Sequence, residues 1–323
     1  MNTVDSAERR ADGTDGTDGT AVFERYRRLL FTVAYDMLGS VADAEDCVQE
    51  AWIRWTGGDR SDVADPKGYL VRITANLSLN RLRAARSRRE SYVGPWLPEP
   101  LVTAPDVADE VERADEVSYA MLVVLETLNP VERAVFVLRE VFGVPHAEIA
   151  EAVGKSEAAV RQLAHRAREH VHARRPRHTA GPDERRRLTE RFLAACSEGD
   201  VAGLKELLAA DAIVLTDGGG KAAAAVRPLF GADRCARFMA GIGPRFQEQR
   251  WLVAWAEVNG APGIVFRDAE GHVEAVALVE VTDGAITEVL MVRNPDKLTH
   301  LRRLMADTAG RGAGHGHDGG IGE

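Results

Sequence analysis

The chain has 323 residues, of which 45% are hydrophobic and 28% charged, with a formal net charge of -9. That length fits two or three domains. The negative balance excludes a generally basic nucleic-acid binder, so any such site has to come from local patches. The three cysteines, Cys47, Cys196 and Cys235, lack metal-ligand or redox spacing and read as buried thiols of a reducing compartment. No apolar run is long enough for a bilayer and no signal-peptide core opens the chain, so a soluble, cytoplasmic protein without a membrane partner is expected.

The elements follow in chain order. Ala11–Thr20 is a low-complexity run of small and acidic residues, and residues 1–20 are expected to form a disordered tail. Phe23, Tyr26, Leu30, Val33 and Met37 then recur at helical spacing up to Gly39. Ser40, with Asp43 three residues on, marks the start of a second helix. Its buried side is predicted to hold Val41, Ala44, Val48, Ala51, Trp52 and Trp55. Asp43, Asp46 and Glu50 form an acidic stripe on it, which reads either as a solvated face or as a docking face for a basic partner helix. Asp65-Pro66 opens a third helix that is predicted to bury Tyr69, Leu70, Ile73 and Leu77. Arg72, Asn76, Asn80 and Arg83 fall near its opposite face, followed by Arg81, Arg86, Arg88 and Arg89. Arginines mixed with side-chain amides suit phosphate contact and base-edge reading; a solvated basic face is the plainer alternative.

A proline-rich break, Gly94–Pro105, separates this unit from the next. Asn129-Pro130 caps a helix expected to run to Phe142, with Gly143 as its stop. A helix-turn-helix pattern follows. Ile149 and Val153 mark a short first helix, Gly154 the turn, and Ser156 the cap of a second helix with Val160, Leu163 and Ala167 inward. Glu157, Ala158, Arg161, Gln162, His165 and Arg168 point outward, with Arg166, Arg168, Arg174, Arg175 and Arg177 available to phosphates.

After a second break at Arg174–Pro182 come two helices, one through Leu188, Phe192 and Ala195, the other over 201–208. Strand-like runs follow at 212–215, 251–258, 264–266, 272–281 and 286–292, with hairpin turns at Asn259-Gly260 and Asp283-Gly284. Helices followed by an antiparallel meander predict an α+β cone around a pocket, with Asp217, Trp251 and Trp255 as lining candidates. His272 and His300 sit in no recognisable dyad. The last residues, with His315 and His317, read as a mobile tail rather than a metal site.

These features add up to a resemblance. DAEDCVQEAW, GYLVRITANLSLNRLRAARSRR and LNPVERAVFVLREVFGVPHAEIAEAVGKSEAAVRQLAHRAR are similar to regions two and four of extracytoplasmic-function (ECF) RNA polymerase sigma factors, over about residues 21–178. Region three of primary sigma factors has no counterpart. The third unit resembles the SnoaL-like (NTF2-like) superfamily. WLPEP (Trp96–Pro100), DGGGK (Asp217–Lys221) and NPDKL (Asn294–Leu298) resemble signatures of the SigJ-type group, whose members carry a fused SnoaL-like domain.

The resemblance implies a multidomain chain: two all-α domains, then the α+β cone. The expected boundaries are 21–92 for region two, 93–117 for a linker, 118–178 for region four, 183–308 for the SnoaL-like domain and 309–323 for a tail. It implies that Asp43, Asp46, Gln49 and Glu50 dock on core RNA polymerase. Arg72, Asn76, Asn80, Arg81 and Arg83 would face minus-ten promoter DNA. Ser156, Glu157, Ala158, Arg161, Gln162 and His165 would face minus-thirty-five DNA. Trp96, Leu97, Pro98, Asp217, Gly218, Gly219, Gly220, Lys221, Asn294, Pro295, Asp296, Lys297 and Leu298 would form a regulatory interface that tunes activity in cis. No cofactor, metal or catalytic set is expected. The partners are core polymerase, promoter DNA and a small-molecule ligand of the C-terminal pocket. The free chain is expected to be a monomer, nucleoid-associated once on polymerase. The rival reading is a ligand-sensing one-component regulator that binds DNA unaided.

Overall fold

The computed structural model describes residues 15–58, 63–102, 117–174 and 180–301. They fall into two compact units rather than three. One holds the residues up to Glu90, with Val117 and 121–174. The other holds 91–102, Ser118–Ala120 and 180–301, so the WLPEP segment belongs with the third domain. His315, His317, Arg175, Arg177, most of the expected linker and both outermost stretches lie outside the described residues.

The first unit is helical. α1 (Asp15–Leu38), α2 (Val41–Gly57) and α3 (Pro66–Glu90) pack on one another. α1 begins inside the run expected to be disordered; the indole Nε1 of Trp55 donates to the Gly19 carbonyl at 2.7 Å, which ties the first turns to α2. The Ser40 hydroxyl accepts from Asp43 N and satisfies a donor of the first turn of α2. Trp52 is only half-buried, edge-on to Phe23 at 4.9 Å. α3 buries more than one stripe: Leu70, Val71, Thr74, Ala75, Ser78 and Leu79 are all enclosed, whereas Tyr69 and Ile73 are half-exposed. It is enclosed that widely because α5 and α6 pack on it in addition to α1 and α2.

α4 (Tyr119–Leu125) leads to α5 (Pro130–Phe136), capped by Asn129, whose Oδ1 accepts from Val131 N and Glu132 N. The helix was expected to run to Phe142; it continues to Val141 with Phe142 as its cap, and Val137–Val141 is a π-helical segment. α6 (His146–Val153) ends at Gly154 with φ +66°, and the Ser156 hydroxyl caps α7 (Glu157–His172) through Ala159 N. Val160 and Ala167 are fully enclosed and Leu163 nearly so.

A buried node joins the helices of the first unit. Arg133 on α5, 1% exposed, donates to the Asp36 carbonyl from Nε and Nη2 (3.3 and 3.1 Å) and to Glu126 Oε1 from Nη1 at 2.5 Å. Arg89 near the end of α3 also pairs with Glu126 and donates to the Leu38 carbonyl at 2.9 Å. Two guanidinium groups therefore close the last carbonyls of α1, where the helix dipole favours cations.

The second unit starts with α8 (Pro182–Glu198) and α9 (Val201–Leu207). Its sheet has β1 (Leu208–Asp217), β2 (Leu229–Phe230), β3 (Leu252–Val258), β4 (Ala261–Arg267), β5 (Val273–Thr282) and β6 (Ala285–Val292), in the order β2-β1-β6-β5-β4-β3. β3 to β6 form the predicted meander. β1, however, pairs parallel with β6, so the sheet is mixed. Asn259-Gly260 and Asp283-Gly284 turn with positive φ at all four residues. The alternation of each strand sends Ala212, Val214, Ile264, Phe266, Ala277, Val279, Val289 and Met291 to the core under the helices.

A third helix, α10 (Ala232–Glu248), was not predicted; Gly241, Gly243 and Pro244 interrupt its pattern. It buries Cys235, Ala236 and Met239 against the sheet. Gly243 is needed for this packing, because a Cβ there would lie 1.9 Å from the Cys196 carbonyl of α8.

Glu280 and Glu288 stand opposite each other in the β5–β6 ladder. Burial pushes both carboxyls above the usual range; Arg185, 3.2 Å from Glu280, opposes the rise there, whereas the charge of Glu280 adds to it at Glu288. A carboxyl held above its unfolded pKa contributes stability below that value and loses it as pH rises through the folded pKa. Glu288→Gln is therefore expected to stabilise the chain by about 0.5–1 kcal/mol at pH 8, the scale of a directly opposed like-charge pair. The gain should vanish at pH 4, as read from denaturation midpoints at the two pH values.

Candidate functional sites

Three sites of the first unit were legible as residue types. On α2, Asp43, Asp46 and Glu50 do form one stripe, and Gln49 beside them is exposed. The stripe already has an internal cation. Arg81 of α3 lies 3.6 Å from Asp43, 3.3 Å from Asp46 and 3.8 Å from Glu50. Arg81 therefore sits on the acidic stripe and not on the face of Asn76 and Asn80, where it was expected. On that second face Asn76, Asn80 and Arg83 are exposed, with Asn80 Nδ2 donating to Asn76 Oδ1 at 3.2 Å. Arg72 is half-buried, stacked over Tyr69, and pairs with Glu151 of α6 at 2.8 Å.

On α7, Glu157, Ala158, Arg161, Gln162 and His165 project from one exposed face, with Ser156 at its N-terminal end. Arg161 pairs with Glu157 at 2.5 Å, and His165 lies 3.3 Å from Glu169. Arg168 is held by both oxygens of Glu140 at 2.7 and 3.1 Å, which raises its pKa through the hydrogen bond and the charge of that carboxylate. Arg161 and Arg168 thus carry their own counter-charges.

In the second unit, the three short motifs converge on one carboxylate. Asp217, at the end of β1, is completely buried. Its Oδ1 accepts from the Tyr92 hydroxyl at 2.5 Å; its Oδ2 accepts from Leu97 N at 2.9 Å and from Lys297 Nζ at 2.7 Å. Lys297, 3% exposed, also donates to the Leu97 carbonyl, and its ammonium lies 3.2 Å from the Trp96 ring centroid and 5.1 Å from that of Tyr92. Burying a charge this deeply is tolerable only with such pairing. Asn294 caps the 3-10 turn Pro295–Leu298 through Asp296 N and donates to the Tyr92 hydroxyl at 2.8 Å. Burial and then the Asp217 bond push the Tyr92 phenol far above its usual range, so it remains a donor.

The DGGGK turn makes this convergence possible. Gly219 has φ +58°, and a Cβ on it would lie 2.3 Å from Asn294 Nδ2 and 2.9 Å from the Tyr92 oxygen. Lys221 pairs with Asp296 at 2.5 Å on the surface. Further along the segment, the His300 ring bonds the Pro100 carbonyl at 2.7 Å and Leu101 exchanges two hydrogen bonds with Asn259. Val102 then bridges Val258 at the end of edge strand β3. Tyr92, Asn259 and His300 belong to this clamp and were missed, since each is an unremarkable residue until the fold delivers its partner.

Asp217 does not line the predicted pocket; strand alternation turns it to the other face of the sheet. The cavity itself lies between α8, α10 and the sheet, with Trp251 in its wall, and Trp255 is absent from that wall. Trp255 instead packs at the core margin under Arg186. His272 does have an acidic neighbour, Asp268 at 3.0 Å, on the exposed β4–β5 hairpin. Among the described residues, no helix is long and apolar enough to cross a membrane.

Comparison with known proteins agrees with this division. Residues 22–88 match the family model for sigma-70 region 2, and 119–171 that for sigma-70 region 4. The chain is 40% identical to the ECF RNA polymerase sigma factor SigJ of Mycobacterium tuberculosis over 309 residues, covering 91% of this chain and 98% of that one. It is 38% identical over 192 residues to the probable ECF sigma factor SigI of M. tuberculosis, covering 58% of this chain and 66% of that one. The crystal structure of M. tuberculosis SigJ superposes with a TM-score of 0.69 at 37% identity, covering 87% of this chain and 98% of that one. The matched regions, the helix-turn-helix and the α+β domain behind them lead to one conclusion: the chain belongs to the extracytoplasmic-function RNA polymerase sigma factors, which direct promoter-specific initiation of transcription.

Proposed function

We propose that this sigma factor is controlled in cis by its α+β domain through the hold of Asp217 and Lys297 on the WLPEP segment. The observation that carries this reading is the Leu97 amide and carbonyl, both bound inside that domain although they belong to the segment between the two promoter-reading regions. In this reading α2 offers Asp43, Asp46, Gln49 and Glu50 to core polymerase. α3 offers Asn76, Asn80 and Arg83 to the minus-ten element, joined by Arg72 once its pair with Glu151 opens, whereas Arg81 stays with the acidic stripe. Ser156, Glu157, Ala158, Arg161, Gln162 and His165 read the minus-thirty-five element, where Arg suits guanine and Gln adenine. The regulatory surface comprises Trp96, Leu97, Pro98, Asp217 to Lys221 and Asn294 to Leu298. Control is by position, without chemistry: sigma factors are initiation factors and not enzymes. The factor works in the cytoplasm, joining the nucleoid with polymerase, and a small molecule in the domain's cavity is the candidate signal.

The two elements lie about 25 base pairs apart, roughly 85 Å along B-DNA. Reading both requires α3 and α7 to separate by more than the packing of α3 on α5 and α6 permits. Initiation therefore breaks the Arg72–Glu151 pair and the Glu126 node, and the length of free segment between the regions sets how readily this happens.

Run-off transcription with sigma-free core polymerase tests the reading, comparing the full chain with one ending after His178. Both are expected to start at one defined site with different yields, the ratio giving the sign of the control. Equal yields would remove the cis-control model. Binding of the full chain to promoter DNA with no polymerase requirement would favour a one-component regulator. Within the same assay, Asp46→Lys with Glu50→Lys is expected to weaken capture by core polymerase at least tenfold. The two lysines would also face Arg81, so a lower thermal midpoint is expected, and capture is compared at a temperature where both chains are folded.

A further inference from the structure

The cavity under the sheet has a specific chemical character. It measures about 100 Å³ and lies between α8, α10 and the inner faces of the strands. Phe192, Cys196, Met239, Trp251, Phe266 and Met291 contribute to its wall, and no charged side chain is among the described lining residues. Burial pushes the Cys196 thiol up to about 12, so it stays a neutral, unreactive wall group. An engineered apolar cavity of roughly 150 Å³ takes up benzene, so a cavity of about 100 Å³ that is open on one side limits the ligand to a single small ring. Charged ligands are rejected there, because no counter-charge repays their desolvation. Sulfur and ring edges of two methionines and three aromatic residues suit a flat ring.

We infer that this cavity is a binding site for a neutral, apolar molecule of one aromatic ring, and that its occupancy is felt at the Asp217 clamp. The route is short. Met291 of β6 lines the cavity, and two residues later the Arg293 guanidinium lies 5.0 Å from the ring centroid of Trp251, itself in the wall. Arg293 N and Asn294 N both donate to the Asp217 carbonyl, at 2.7 and 2.9 Å. A ring that shifts Trp251 or Met291 therefore pushes on the strand end that carries Asn294 and precedes Lys297. The second half of the inference rests on the cis-control reading. Binding is measured without transcription, so failure of either can be told from failure of the other.

The test uses the full chain with methyl-labelled methionine, titrated with benzene and toluene, and with benzoate and benzylammonium as charged analogues of similar size. The Met239 and Met291 methyl signals, assigned through Met→Leu variants, are expected to shift saturably with the neutral probes and to stay put with the charged ones. Ala277→Leu, which fills the cavity from the sheet side, should weaken toluene binding at least tenfold. Saturating toluene should change amide exchange at Leu97 at least threefold. No shift at the two methionines, equal shifts with charged probes, or unchanged binding in a correctly folded Ala277→Leu chain would overturn the site. Saturable binding with unaltered Leu97 exchange would overturn its connection to the clamp.

Discussion

Asp217→Asn is expected to cost about 3–5 kcal/mol, because it leaves the Lys297 ammonium buried without its anion. The side chain keeps its shape, so the loss is electrostatic: Lys297 and the Leu97 amide lose their charged acceptor together. The domain need not unfold to escape this penalty. Releasing the WLPEP segment hydrates Lys297 at the expense of the Trp96 and Tyr92 contacts. The expected result is faster proteolysis between Ser91 and Val102 at a temperature where 180–301 remains protected. Adding Lys297→Met should restore most of the loss, since replacing a buried pair with apolar groups of similar volume is often nearly neutral. Run-off yield should change in Asp217→Asn and move back towards the parent level in the double variant. Unchanged proteolysis would mean that the segment is not held by this pair.

The second large effect is expected at Arg133. Its replacement by Met removes the cation that both closes the end of α1 and neutralises Glu126, at a cost of about 3–5 kcal/mol by chemical denaturation. Arg133→Lys should recover little, because an ammonium cannot span the Asp36 carbonyl and Glu126 as a planar guanidinium does. Glu126→Gln is the milder change: both arginines keep a hydrogen-bond acceptor and their contacts with the α1 carbonyls. If the node must break before both promoter elements are read, Glu126→Gln should raise run-off yield per folded molecule at least twofold. Equal or lower yield with unchanged stability would show that the node is structural and has no part in opening.

The helix-turn-helix was legible because its signals are local. Gly154, Ser156 and the spacing of Val160, Leu163 and Ala167 lie within fourteen residues, and each acts on its own turn. The hairpins at Asn259-Gly260 and Asp283-Gly284 were legible for the same reason. α10 was not, because Gly241, Gly243 and Pro244 look like loop residues, and the reason for Gly243 shows only once Cys196 is placed against it. The parallel pairing of β1 with β6 joins residues more than seventy positions apart, which strand patterning does not encode. Among the candidate sites, composition marked Arg72 and Arg81 as cations but not their partners Glu151, Asp43, Asp46 and Glu50. Motif resemblance flagged Asp217 and Lys297, yet it missed Tyr92, whose hydroxyl is bonded to both Asp217 and Asn294.

The π-helical segment at Val137–Val141 has its own consequence for how the recognition helix is aimed. A π turn is an α-helix with one residue too many, and each residue added or removed rotates everything beyond it by about 100°. Glu140 sits in that segment and holds Arg168 of α7 by two hydrogen bonds. Deleting one residue there would give a more regular helix and a worse reader. Glu140 would swing away from Arg168, and the chain would enter α6 from the wrong side. The irregular turn thus works as a spacer, fixing the angular phase between the helix that begins region four and α7.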